Sequence, residues 1–296
     1  MKKLLLLFAT ILFTFAQVEA QEAPAVSDTL DGWKFNWTTG LNGSQSSYSN
    51  WSGGGVDNIS VAGNSDFTAK YRQNRYSYAF ALDTRYGESR IDGEGTRKTD
   101  DLFSIRNRFL YDIGGEESEF SIFGNLNFRT QFAKGYRYGE GVEGDELTRG
   151  DDRLISDFMA PAYITQNAGL AYSPGDHFYF EAGVGLRQTI VSDERLSTTY
   201  GLDEGTRFRN EAGVNLGADY SQTIASNLVL NSSIETFTNV NKSVRSTDVY
   251  FSNQVTGRIN RVMNASFRLD LAYDDDFSTE VQVRQVISMG ISFILI

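Results

Sequence analysis

Apolar and polar positions alternate along most of this chain. In "RYSYAFALDTRYG", Arg75 to Gly87, the residues Tyr76, Tyr78, Phe80, Leu82 and Tyr86 take one side and Ser77, Ala79, Ala81, Asp83 and Arg85 the other. Successive side chains of a strand point to opposite faces, so a period of two predicts a β-strand with one apolar face. Twelve such segments can be laid out: 33–43, 58–72, 75–87, 101–113, 119–134, 161–172, 177–191, 206–220, 227–238, 247–259, 264–274 and 280–294. Many are longer than the five or six residues usual for a globular strand and suit the roughly nine to eleven that a tilted membrane strand needs. No window after residue 20 sustains a helical period.

The connections carry a second pattern. Those after even-numbered segments are short: Gln73-Asn74, "GGEES", "SPGD", "SQTIAS" and "NRVM". Those after odd-numbered segments are mostly longer and more polar, the longest being "GYRYGEGVEGDELTRGDDRLISDFMA" from Gly135 to Ala160. A soluble sandwich does not require this alternation, whereas a membrane barrel with short periplasmic turns and long extracellular loops does. The predicted fold is therefore all-β, a single antiparallel transmembrane β-barrel of about 12 strands. An even strand count returns both termini to the periplasm.

Each face then suggests its solvent. Phe103, Ile105, Phe109, Tyr111, Phe120, Ile122, Leu126, Phe128, Phe178, Phe180, Val184, Leu186, Phe267, Leu269, Leu271 and Tyr273 form an apolar side, with aromatics concentrated near strand ends as in an interfacial girdle. The opposite side carries Lys70, Asp83, Arg85, Arg106, Arg108, Arg129, Glu181, Arg187, Arg209, Glu211, Asp219, Glu235, Arg258, Arg268, Asp270 and Arg284, with glycines between them. A small-residue face of mixed charge fits a narrow lumen. Burying an unpaired charge costs several kcal/mol even after relaxation, so the arginines are expected in paired ladders with Asp66, Asp83, Glu181, Glu211, Asp219, Glu235 and Asp270. Lys34 and Lys70 add to the basic side, and any open water path should prefer anions.

The N-terminus predicts export. "MKKLLLLFATILFTFAQVEA" places Lys2 and Lys3 before an apolar run and ends on Val18-Glu19-Ala20, the form of a cleavable export signal. The run from Leu4 to Ala16 is short of the roughly 20 residues a membrane helix needs. Residues 1–20 are read as signal peptide, 21–32 as a periplasmic segment and 33–296 as the barrel. With Lys2, Lys3 and Glu19 removed, the chain's 27 Lys+Arg and 38 Asp+Glu become 25 and 37, a net charge of −12. That balance disfavours nucleic acid as a partner. With no cysteine there is no disulfide, thiolate metal site or Cys nucleophile. A mean hydropathy of −0.34 does not argue against a barrel, whose apolar residues are diluted by alternation.

The last segment, "VISMGISFILI", sets Ile287, Met289, Ile291, Phe293 and Leu295 on one face, an ending that resembles the C-terminal signal read by the barrel-insertion machinery. The final residue, Ile296, departs from that pattern by not being aromatic. Several blocks, "GGGVDNISVAGNSDFTAKY", "RKTDDLFSIRNRFLYD", "FRTQFAKGY", "ISDFMAPAY", "DERL" and "LAYDDD", resemble an exported barrel family known as a domain of unknown function, number thirty seventy-eight. The resemblance implies an outer-membrane barrel of Gram-negative bacteria and supplies no catalytic residues.

The chemical inventory argues against an enzyme. The single histidine, His177, falls in the short turn "SPGDHF", on the side expected to face the periplasm, and reads as a turn or interfacial residue. The Gly-rich "GEGTR" at Gly93 lacks the strand-to-helix context of a phosphate loop. No cofactor is implied. Acidic residues near the long loops, chiefly Asp101, Asp157, Asp193 and Asp275, are weak candidates for a Ca²⁺ site, against the simpler reading of a solvated acidic rim paired with nearby Arg and Lys. Two function classes stay open: a narrow channel for small solutes, or an accessory subunit of an outer-membrane assembly with a plugged lumen. Expected partners are outer-membrane lipid, the insertion machinery and other outer-membrane proteins.

Overall fold

The computed structural model describes residues 31–47, 57–115, 118–175, 177–274 and 278–295. The leader, and Asp275 among the rim aspartates, lie outside them. Fifteen strands occur in chain order: β1 (Gly32–Ser46), β2 (Asn58–Gln73), β3 (Tyr76–Ile91), β4 (Gly95–Asp112), β5 (Phe120–Thr130), β6 (Gly135–Arg137), β7 (Thr148–Arg149), β8 (Asp152–Ser156), β9 (Ala162–Tyr172), β10 (Phe178–Ile190), β11 (Phe208–Ala225), β12 (Leu228–Asn239), β13 (Asp248–Arg258), β14 (Met263–Asp274) and β15 (Ser278–Ile294). Twelve close into an antiparallel barrel, each paired with its neighbours in sequence, except that β5 pairs directly with β9 and β15 returns to β1. The remaining three, β6, β7 and β8, form a separate small sheet within the long connection. No helix among the described residues is long and apolar enough to cross a membrane, which says nothing against crossing by strands.

The wall follows from the alternation. On β3 the residues Ser77, Ala79, Ala81 and Asp83 are buried while Tyr76 and Tyr86 are exposed. The outward residues form an apolar band whose aromatics interlock at the short-turn end: Trp33 meets Phe35, Tyr71 and Tyr78, and Phe178 meets Phe180 and Tyr220. Glycines on the inner face make room for inward rings. A Cβ on Gly213 would lie 2.4 Å from the Phe237 ring, and one on Gly183 would lie 3.0 Å from Phe123.

Strand lengths depart from the sequence reading chiefly in three places, one being the eighth segment, expected to end at residue 220 before "SQTIAS", where β11 instead runs to Ala225 and leaves only Ser226 and Asn227 as the turn. The connection expected between the third and fourth segments is mostly strand: β3 runs to Ile91 and β4 begins at Gly95, so the hairpin projects well past the apolar band. Arg97 supports the tip, with Glu94 at 2.7 Å and the Tyr138 ring beneath its guanidinium. The fifth segment, expected to reach residue 134, ends at Thr130, because Asp101 accepts from the Phe132 and Ala133 amides and turns the chain away from the ladder.

Long connections at the same end pack on one another. Leu147, Leu154, Ala160, Val191, Leu196, Tyr200 and Leu202 form a buried cluster that joins the β6–β8 sheet to two 3₁₀ turns, Glu194–Leu196 and Thr198–Tyr200. This cap has its own core. The β1–β15 seam, by contrast, is short, running only from Thr38 opposite Ile294 to Asn42 opposite Gly290, whereas β1 pairs with β2 over its whole length.

Candidate functional site in the barrel lumen

Strand register shows which side chains share the inner face. One row runs Lys34, Lys70, Ala79, Arg108, Asn125, Asn167, Gly185, Gly213 and Asn239 across nine successive strands. Others set Glu181 beside Gly217 and Glu235, Arg187 beside Glu211, Arg129 beside Tyr163, and Asp270 beside Arg284. By the same register Asp83, Arg85, Arg106, Arg209, Asp219, Arg258 and Arg268 lie on that face, so the sixteen charged residues set opposite the apolar side in the sequence share the inner face.

These residues fall into three groups. The first is built around Arg108, which meets Glu181 at 2.9 Å with both side chains almost wholly buried, at 3% and 6% exposure. Its guanidinium lies 4.1 Å from the Tyr179 ring centre and 5.8 Å from that of Phe123, and the Tyr179 hydroxyl donates to Glu181. Glu235 is within Coulombic reach of Arg106, Arg108, Glu181 and Asp219. The second group lies nearer the cap. Arg187 bridges Glu211 at 3.2 Å and Asp248 at 2.5 Å over the Phe237 ring, Arg209 shares Glu211 and donates to the Gly201 carbonyl, and Tyr250 donates to Asp274. In the third, Arg268 meets Asp270 at 2.9 Å and Arg284 meets it at 3.9 Å, with Ser252 donating to the same carboxylate.

Three further ion pairs lie along the wall. Arg106 meets Asp83 at 2.6 Å, while Arg85 approaches Asp100 at 3.6 Å. At the short-turn end Arg72 binds Asp112 at 2.7 Å and Ser77 at 2.9 Å. Alternation alone missed several inward partners. Phe123, Tyr163, Tyr179, Phe237 and Tyr250 are aromatics on the polar face, and Asp248 and Asp274 stand at strand ends that read as rim. The neighbouring glycines at 183 and 213 were the available signal.

The rim aspartates do not converge. Asp101 accepts from Lys98 Nζ as well as from two backbone amides. Asp157 accepts from the Phe158 amide and lies 3.8 Å from Lys134. Asp193 caps the first 3₁₀ turn and takes two bonds from the Arg195 guanidinium, which hold its carboxyl below the ordinary range. No cluster of metal-ligating side chains occurs among the described residues. The three described candidates, Asp101, Asp157 and Asp193, are thus engaged by amides and cations of the chain itself. His177 sits in the turn before β10, its Nδ1 3.0 Å from the Ser221 carbonyl, at the opposite end from the cap.

A family model described as "Protein of unknown function (DUF3078)" matches residues 44–136, the stretch from late β1 through the start of the β6–β8 sheet. It is the family that the sequence blocks resemble, and the later blocks lie beyond the match. A search of curated proteins gives no match. Among solved structures, the translocator domain of autotransporter NalP from Neisseria meningitidis aligns at 12% identity over 90% of this chain and 89% of its own, with a TM-score of 0.44. An outer membrane channel from Pseudomonas putida F1 aligns at 9% identity over 94% and 99%, also with a TM-score of 0.44.

Proposed function

We propose that the protein is a non-enzymatic outer-membrane barrel that passes small anionic solutes through a narrow lumen. The twelve wall strands close on themselves where β15 meets β1, and an outer face of this apolarity is suited to lipid. The observation that carries the reading is that the lumen is filled unevenly. Along β4 to β12 the inward charges are stacked on aromatic rings and buried in pairs, as Arg108 and Glu181 are. From β13 through β15 and β1 to β2 the inward cations Arg258, Arg268, Arg284, Lys34 and Lys70 stay partly or fully exposed, with Asp270 and Asp66 as half-buried carboxylates among them, although Arg72, Asp248, Tyr250 and Asp274 on the same strands are buried. A water path along that side has walls of net positive charge, which favours anions.

The second reading, an accessory subunit with a closed lumen, is favoured by the cap, since Tyr200 donates to the Ile155 carbonyl and Arg209 ties the Thr198–Tyr200 turn to the barrel wall. Planar-bilayer recording under a salt gradient separates the two. The channel reading expects an anion-selective reversal potential that moves toward cations in Arg258→Gln/Arg284→Gln. Absence of any current from correctly folded protein supports the accessory reading instead.

A further inference from the structure

Lys34 and Lys70 stand directly opposite one another on β1 and β2, on the inner face. Directly opposed residues of an antiparallel pair have their Cβ atoms about 5 Å apart, a placement in which like charges destabilise the sheet. Neither ammonium group has a hydrogen bond or ion pair among the described residues, although the guanidinium next along β2, Arg72, is fully engaged by Asp112 and Ser77. Elsewhere on the inner wall carboxylates answer the guanidinium groups, as Asp83 does for Arg106 and Asp270 for Arg268. The outward neighbours of the two lysines, Trp33 and Tyr71, are rings 5.0 Å apart in the aromatic band at the short-turn end, which sets the lysines just inside the periplasmic mouth.

We infer that Lys34 and Lys70 form a binding site for a phosphate-bearing solute at the periplasmic mouth of the lumen. Two ammonium groups facing each other supply six N–H donors and two positive charges with no acceptor of their own. A tetrahedral phosphate dianion presents oxygens on several sides and can bridge both, removing the repulsion while keeping each ammonium hydrated on its open side. Lys34 is exposed and Lys70 half-buried, so the site is reached from water. The inward direction of both side chains favours a solute in the lumen over a lipid headgroup outside. The inference rests on the lumen assignment of the barrel but not on whether the lumen conducts.

The test is equilibrium binding of inorganic phosphate to the full-length barrel folded in an uncharged maltoside detergent free of phospholipid, followed by phosphorus NMR line broadening and calorimetry. Saturable binding is expected, weakening as chloride is raised, with Kd at least tenfold higher in Lys34→Gln/Lys70→Gln and unchanged in Lys134→Gln, an exposed loop lysine. Folding of each variant is checked by strand content and by the temperature at which it unfolds in detergent. No saturable binding, equal binding in the double variant, or binding seen only when anionic phospholipid is added would each overturn the assignment. Because the measurement needs no current, a silent barrel that binds phosphate rejects the channel reading and keeps this site.

Discussion

Arg108 tests whether the filled wall is structural. Its guanidinium meets Glu181 at 2.9 Å with both side chains nearly excluded from water, and stacks 4.1 Å from Tyr179. Removing one member of a pair this deeply buried costs about 3–5 kcal/mol, because the remaining charge is left without a partner. Loss of a cation–π contact adds about 1 kcal/mol. Arg108→Ala leaves Glu181 near Glu235 and Asp219 with one fewer cation, so it should fall at the upper end of that range. Glu181→Ala leaves Arg108 with Glu235 still in reach and should cost roughly half as much. Arg108→Met/Glu181→Leu removes both charges, keeps the volume, and should come within about 1 kcal/mol of the parent. Guanidinium unfolding of detergent-folded protein, read by tryptophan fluorescence, gives the three values and their coupling. If both single variants unfold within about 1 kcal/mol of the parent, the pair is solvated and the filled-wall reasoning is wrong.

Gly213→Val should prevent refolding, read as loss of heat-resistant migration on gels, and Phe237→Ala in the same chain should not restore it, since a Cβ there lies 2.4 Å from the Phe237 ring and also 2.7 Å from the Thr238 carbonyl oxygen. Asp193 is held below the usual carboxylate range by Arg195, so its contribution is complete above about pH 4 and lost as pH falls through the lowered value. Amides of residues 195–197 should keep constant exchange protection from pH 7 to 5 and lose it in stronger acid, and Asp193→Asn should lose it at neutral pH; the pair is partly exposed, so about 0.5 kcal/mol is at stake. A tag inserted near Glu143 should be labelled on whole cells and one at Gly115 should not, with the reverse result inverting the topology.

The barrel was legible because lipid outside and charge inside impose period two over ten or more residues at a time. The strand order needed only the alternation of short and long connections. What was not legible depends on partners far apart in sequence. Phe123 sits between Ile122 and Gly124 with nothing local to mark it as inward; its place is made by Gly183 on a strand two positions around the wall. Arg108 and Glu181 are 73 residues apart, so their pairing follows from closure and register. The cap escaped for a different reason. Strands of two to five residues, such as Thr148–Arg149 and Asp152–Ser156, are too short to display a period, and their core is assembled from two separate connections.

The short seam bears on the order of folding. Hairpins such as β2–β3 or β11–β12 close over a few residues of chain, but β1 and β15 must find each other across nearly the whole barrel sequence. Loop-closure entropy grows with the logarithm of that separation, and non-local pairings form late. Five residue pairs, Thr38–Ile294 to Asn42–Gly290, are little reward for that search, so the curved sheet should persist as an open intermediate with two unsatisfied edges before it shuts. During that interval the edge of β15, carrying Ile287, Met289 and Ile291, is the natural handhold for a folding catalyst that lends a temporary strand. Release then becomes a strand exchange, in which β1 displaces the catalyst one hydrogen bond at a time.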